Sequence, residues 1–240
     1  VQKKSYKYLD FILAAFVTVL LVSNIVGSIK ITKICLFDNF CFSATTGLFL
    51  FPASYLIGDL LTEVYGYSKS RRVIWTGFAC LLATNLIILF FRALPADPRW
   101  GLELEYSKIF SMSFRVSLAS MVAYFCGEFT NSIIIAKLKV ICKGKYQAFR
   151  IIASTAAGEL VDSVLILFLG FYGSAGYPLE LMLKVLVVNY SFKVLWEILV
   201  YPLTSKLLKY LKKAESEDYY DYKTDFNPFH LKQNNVPNSN

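Results

Sequence analysis

Six apolar segments of about 20 residues each recur along this 240-residue chain, the length that carries an α-helix across a bilayer's hydrocarbon core. They fall at about 9–29, 45–65, 72–92, 115–137, 150–172 and 181–205. Hydrocarbon offers no partner to a backbone N–H or C=O, so segments of this length span as helices. The expected fold class is an all-α integral membrane protein with six transmembrane helices. Leu9 to Ile29 is too long for the apolar region of a cleavable signal, and no small-residue cleavage pattern follows it, so it is expected to stay as a helix. Residues 1–211 are read as the six-helix membrane domain. Residues 212–240, rich in Asp, Asn, Lys and Tyr without helical period, are read as a mobile, polar cytoplasmic tail.

The net charge of +8 would suit nucleic acid, but the basic residues stand in short clusters between apolar segments, as topology signals do. Lys3, Lys4 and Lys7 precede the first segment. Lys69, Arg71 and Arg72 separate the second and third, Lys137 to Arg150 the fourth and fifth, and Lys206 to Lys213 follow the last. Both termini are therefore expected in the cytoplasm. Between the first two segments, Cys35 to Phe42 holds two apolar runs around Asp38-Asn39, which predicts a small hairpin on the outer face. With the turn centred there, Cys35 faces Phe42 and Cys41 faces Leu36, which favours free thiols. The five Cys contain no C-x-x-C pair and His230 is the single His, so neither a metal site nor a cofactor is expected. There is no Walker A motif and no H-E-x-x-H, and Gly58-Asp59 lacks the preceding glycine of a membrane aspartyl protease, so the chain is read as a non-enzyme.

Ionisable residues inside such segments are costly, by roughly 2.5–3.5 kcal/mol on insertion scales, and mark function by default. Counting ~1.5 Å per residue from the cytoplasmic helix ends puts Asp59 roughly 10 Å deep, Glu128, Glu159 and Glu197 about 12–13 Å, and Asp162 and Lys193 near 18 Å. Asn24 of the first segment lies slightly beyond, and Asn131 shares a helix face with Glu128. One shared interior layer makes these residues tolerable. Its carboxylates outnumber Lys193, which disfavours an anionic ligand. A planar base with an N–H edge suits it, because one carboxylate accepts two parallel hydrogen bonds and aromatic residues such as Tyr55 and Phe125 offer a face. Glu63, a turn nearer the cytoplasm and beside Arg71 and Arg72, is a candidate for an inner gate. Gly127-Glu128-x-x-Asn131-Ser132 and Gly158-Glu159-x-x-Asp162-Ser163 echo each other in antiparallel segments, a match too short to establish an inverted repeat.

Several motifs, taken in order, carry a resemblance. They are Ser23-Asn24, Phe51-Pro52, Asp59-Leu60-x-x-x-x-Tyr65-Gly66, Ser70-Arg71-Arg72, Arg115-x-x-x-Ala119-Ser120, Gly158-x-x-x-Asp162, Phe192-Lys193 and Pro202. Together they resemble the queuosine-precursor transporter family, also called the VUT or YhhQ family, of bacterial inner-membrane proteins. The resemblance implies import of a 7-deazaguanine base (preQ0, preQ1 or queuine) for tRNA modification, by alternating access, with a small molecule and the lipid bilayer as the partners. Members often carry Gln-x-x-Asp where this chain has Glu128-x-x-Asn131, and Gln or Asn where it has Glu159. The added acids fit an amine-bearing base, preQ1 or queuine, better than the neutral nitrile preQ0. The other reading is the substrate-binding membrane subunit of an energy-coupling-factor importer, which depends on a partner for energy. The driving ion and the oligomeric state stay open at this level.

Overall fold

The computed structural model describes residues 5–27, 30–37, 40–110, 114–173 and 178–230. Among them, seven helices and one hairpin follow in the order α1 (Leu9–Ile25), β1 (Ile31–Phe37), β2 (Phe40–Thr45), α2 (Gly47–Tyr65), α3 (Tyr67–Ala93), α4 (Glu103–Ile109), α5 (Phe114–Ile141), α6 (Gln147–Phe171) and α7 (Leu179–Glu215). Four of them, α2, α3, α5 and α6, are long and apolar enough to cross a membrane, and α1 is a shorter apolar helix. The pattern behind this is apolar composition rather than one-sided amphipathicity. Leu82, Leu86, Ile87, Phe90 and Phe91 of α3 are exposed, as suits a helix whose outer side meets lipid. The helices turn their small and polar residues inward instead.

Packing centres on the antiparallel pair α5 and α6, with α2 laid against both and α7 against α6 and α2. The close approach has an identifiable cause. A Cβ on Gly158 would stand 2.7 Å from the Gly127 carbonyl oxygen and 2.9 Å from Asn131 Cβ, so only paired glycines allow this crossing. The two glycines that open the echoed motifs of α5 and α6 thus face each other.

The helix α3 starts at Tyr67, five residues earlier than the sequence pattern predicts, so Lys69, Arg71 and Arg72 belong to its first turns and not to a loop. Gly66 is the whole connection between α2 and α3. Its φ of 83° and ψ of 165° lie in a region that is almost exclusive to glycine, and its N–H closes α2 on the Thr62 carbonyl.

The hairpin falls where the pattern predicts one, but its register differs. Cys35 lies opposite Cys41, with Phe37 opposite Phe40 and an irregularity between Cys35 and Phe37. An extra residue in β1, a bulge, shifts the pairing by one and brings the two cysteines level. The predicted turn centre, Asp38-Asn39, lies outside the described residues.

The segment expected to be a mobile tail is bound to the helices as far as His230. Helix α7 continues to Glu215, and residues 216–230 then form a strap across the ends of α2, α3 and α5. Tyr219 N–H donates to the Val64 carbonyl at 3.2 Å, Tyr67 N–H donates to the Asp221 carboxylate, and Arg71 donates to the carbonyls of Asp225 and Asn227 at 3.0 and 2.7 Å. The Trp75 indole N–H reaches the Pro228 carbonyl at 2.9 Å. A Cβ on Gly66 would run into the Tyr219 ring. Gly66→Ala should therefore cost about 1–3 kcal/mol in backbone strain and lift the strap. Limited trypsin digestion should then cut after Lys223, which is exposed, faster than in the wild type.

Candidate functional site

The α5–α6 crossing brings most of the predicted layer together. Asp59 of α2 is fully buried, with one donor on each oxygen: Asn131 Nδ2 of α5 at 2.7 Å and Thr155 Oγ1 of α6 at 2.9 Å. Lys193 of α7 donates to Asp162 of α6 at 2.9 Å and lies 3.5 Å from Ser163 Oγ. Four helices therefore meet through two polar ties. Thr155, within the small-residue run Ala153 to Gly158, has no counterpart among the sequence-predicted site residues. Its hydroxyl faces Asp59 because α6 packs that same small-residue side against α2 and α5.

Three further predicted residues are buried in a different way. Glu128, Glu159 and Glu197 are each at most 1% exposed, and among the described residues none makes a well-formed hydrogen bond to their carboxyl oxygens; Ser54, beside Glu128, donates to the Phe51 carbonyl at 2.7 Å. Room for Glu128 comes from Gly58, where a Cβ would stand 2.8 Å from Oε2. Asp59, Asp162 and Glu159 are within electrostatic reach of Glu128, and Lys193, Asp162 and Glu197 within reach of Glu159, so the acids form one cluster. The hydroxyl of Tyr55 and the Oδ1 of Asn131 are also buried without a partner. A buried polar group left unpaired in hydrocarbon-like surroundings costs about 1–3 kcal/mol. A layer with this many unpaired acceptors and one lysine can accept hydrogen bonds, or a positive charge, from a ligand.

Asn24 joins another group. Its side chain donates to the Leu20 carbonyl and accepts from Ser120 Oγ at 2.9 Å, in a crevice of about 70 Å³ between α1, α3 and α5 that Asn85 and Ser117 also line. Asn85 accepts from Ser117 Oγ at 3.2 Å, so these side chains tie helices together.

Glu63 is likewise separated from the layer, and its partners differ from those expected. Arg150 grips it with two bonds of 2.6 and 3.2 Å, Lys212 reaches it at 2.7 Å, and Lys139 lies at 3.7 Å. Arg71 holds the strap instead, and Arg72 is exposed. One turn of α3 points Arg71 at the strap because Gly66 folds α3 back so sharply after Tyr65. Asp218 of the strap completes the ionic cluster with Lys139 and Lys212 at 2.5 and 2.8 Å. Burial pushes the Asp218 carboxyl up, but hydrogen bonds from the two ammonium groups outweigh it and hold it below the usual carboxylate range. Its contribution to strap docking is present above the ordinary Asp value and is lost as pH falls through the lowered one.

Apolar helices around a sealed layer of acids define a multi-pass membrane protein built on an internal polar site. Residues 45–207 match the family described as "Putative vitamin uptake transporter", and the chain belongs to that family, the VUT or queuosine-precursor transporter family its motifs resemble. It is 24% identical over 160 residues to the "Probable queuosine precursor transporter" of Bacillus subtilis, covering 65% of this chain and 68% of that one. With the protein of the same name from Haemophilus influenzae it shares 25% identity over 177 residues, 72% of each chain. No solved structure matches the chain.

Proposed function

We propose that this chain imports a queuosine precursor, a 7-deazaguanine base, across the bacterial inner membrane for tRNA modification. Six helices, α1, α2, α3, α5, α6 and α7, span the bilayer in this reading, with both termini and the strap on the cytoplasmic side. Substrate binds in the layer of Asp59, Glu128, Asn131, Glu159, Asp162, Lys193 and Glu197, with Asn24 at its outer approach. Glu63 and its basic partners close the inner end in this state, and alternating access breaks and remakes that closure. The observation that carries the reading is the set of three buried glutamates without partners: their oxygens await the N–H edge and the amine of a donor-rich base. The same excess of acid favours preQ1 or queuine over preQ0. The names of the two relatives support the substrate class.

The test is rescue. Expressed in cells that cannot make queuosine, the chain should restore the modified tRNA when preQ1 or queuine is supplied, and preQ0 should serve less well. Failure with all three bases overturns the proposal. Breaking the Lys193–Asp162 tie by Lys193→Met should leave Asp162, whose side chain is 18% exposed, without its cation, and uptake in the same cells should fall at least tenfold while the protein remains in the membrane.

A further inference from the structure

Tyr55 occupies the centre of the four-helix meeting point. It lies one helical turn from Asp59 on α2, on the same face, and is 3% exposed. Two glycines make room for it. A Cβ on Gly127 would overlap the phenol oxygen, and one on Gly158 would stand 3.1 Å from Cε1. The ring therefore passes through the α5–α6 crossing itself, and its hydroxyl emerges among Asp162, Glu128 and Glu159, the carboxylates that act on it most strongly. Despite three carboxyls nearby, the hydroxyl has no hydrogen-bond partner among the described residues.

Packing does not call for that oxygen. Phenylalanine would fill the same space without burying a polar group that gains nothing in return. The donors around the layer are otherwise committed: Asn131 Nδ2 and Thr155 Oγ1 to Asp59, and Lys193 to Asp162. Among the described residues of the layer, the unpaired groups are the oxygens of Glu128, Glu159, Glu197 and Asn131 and the phenol of Tyr55.

We infer that Tyr55 contacts substrate directly, its hydroxyl donating a hydrogen bond to an acceptor on the ligand ring, such as a carbonyl oxygen, while the unpaired glutamates accept from the ligand's N–H groups. The site then selects a heterocycle that presents both a donor edge and a ring acceptor, and Tyr55 sets the second requirement. The inference rests on the proposed import of a 7-deazaguanine base and adds a specificity-determining residue to it.

Tyr55→Phe removes the hydroxyl and keeps the ring. Purified wild type and variant are reconstituted in liposomes and tested with preQ1 or queuine, whichever rescues, and with a thiocarbonyl analogue, in which sulfur, a weaker acceptor, replaces the ring carbonyl oxygen while the ring N–H is kept. The wild type should take up the base and discriminate against the analogue. The variant should show KM for the base raised about tenfold to a hundredfold, little discrimination against the analogue, and a melting temperature equal to or above that of the wild type. Equal KM in the two proteins, or retained discrimination, overturns the inference and leaves the function standing. A melting temperature several degrees lower in the variant marks a structural hydroxyl and also overturns it. Absence of uptake by the wild type overturns the assigned substrate, and the inference with it.

Discussion

Glu63→Gln is expected to be the most destabilising exchange of a single acid in this protein, at about 3–5 kcal/mol, because it strands buried cations rather than merely removing bonds. Arg150 and Lys139 are no more than 2% exposed, and their charges face Glu63. Glutamine offers one acceptor oxygen and no charge, so Arg150 keeps one of its two bonds and its charge goes uncompensated. Asp218 cannot compensate fully, since it already serves Lys139 and Lys212. Thermal unfolding in detergent should show a large drop in melting temperature. Adding Arg150→Met should recover part of it, as removal of a whole buried pair costs far less than removal of one partner. Glu128→Gln is the contrasting control: its carboxyl has no hydrogen-bond partner to lose, so its melting temperature should stay near that of the wild type.

The contrast between these two glutamates shows what the sequence could and could not convey. Both stand in apolar segments, and the cost of burial marks both as purposeful. Depth along the helix separated Glu63 from the layer, since one turn of rise is enough to do so. The partners were beyond local reading. Arg150 is 87 residues from Glu63 and Lys212 is 149 residues away, and their order in the chain looks like loop charges that set topology. The echoed Gly-Glu motifs did carry a physical message, because paired glycines permit the α5–α6 crossing. The strap lay hidden for another reason. Its fixation comes from backbone carbonyls that accept from Arg71 and Trp75, and from Tyr219 seated over Gly66, none of which leaves a helical or alternating period in residues 216–230.

Asp59→Asn should have the largest effect on transport, a loss of uptake of about a hundredfold or more. The carboxyl receives one donor on each oxygen, Asn131 Nδ2 and Thr155 Oγ1, and hydrogen bonds of this kind contribute about 0.5–1.5 kcal/mol each. An asparagine in its place turns an NH₂ toward one of those donors. It also removes one of the two acceptor oxygens that hold α2 against α5 and α6, where the inferred ligand donors enter. Loss of stability and loss of a binding group would both reduce uptake, so the exchange is paired with its mirror. In Asp59→Asn/Asn131→Asp the amide and the carboxylate trade helices, and the bond between them can reform in reverse. The double variant should regain most of the wild-type melting temperature and yet remain deficient in uptake, because the carboxyl now sits on α5, away from Thr155 and from the α2 face that Tyr55 shares. Full recovery of uptake would mean that the layer needs the carboxyl and not its position on α2.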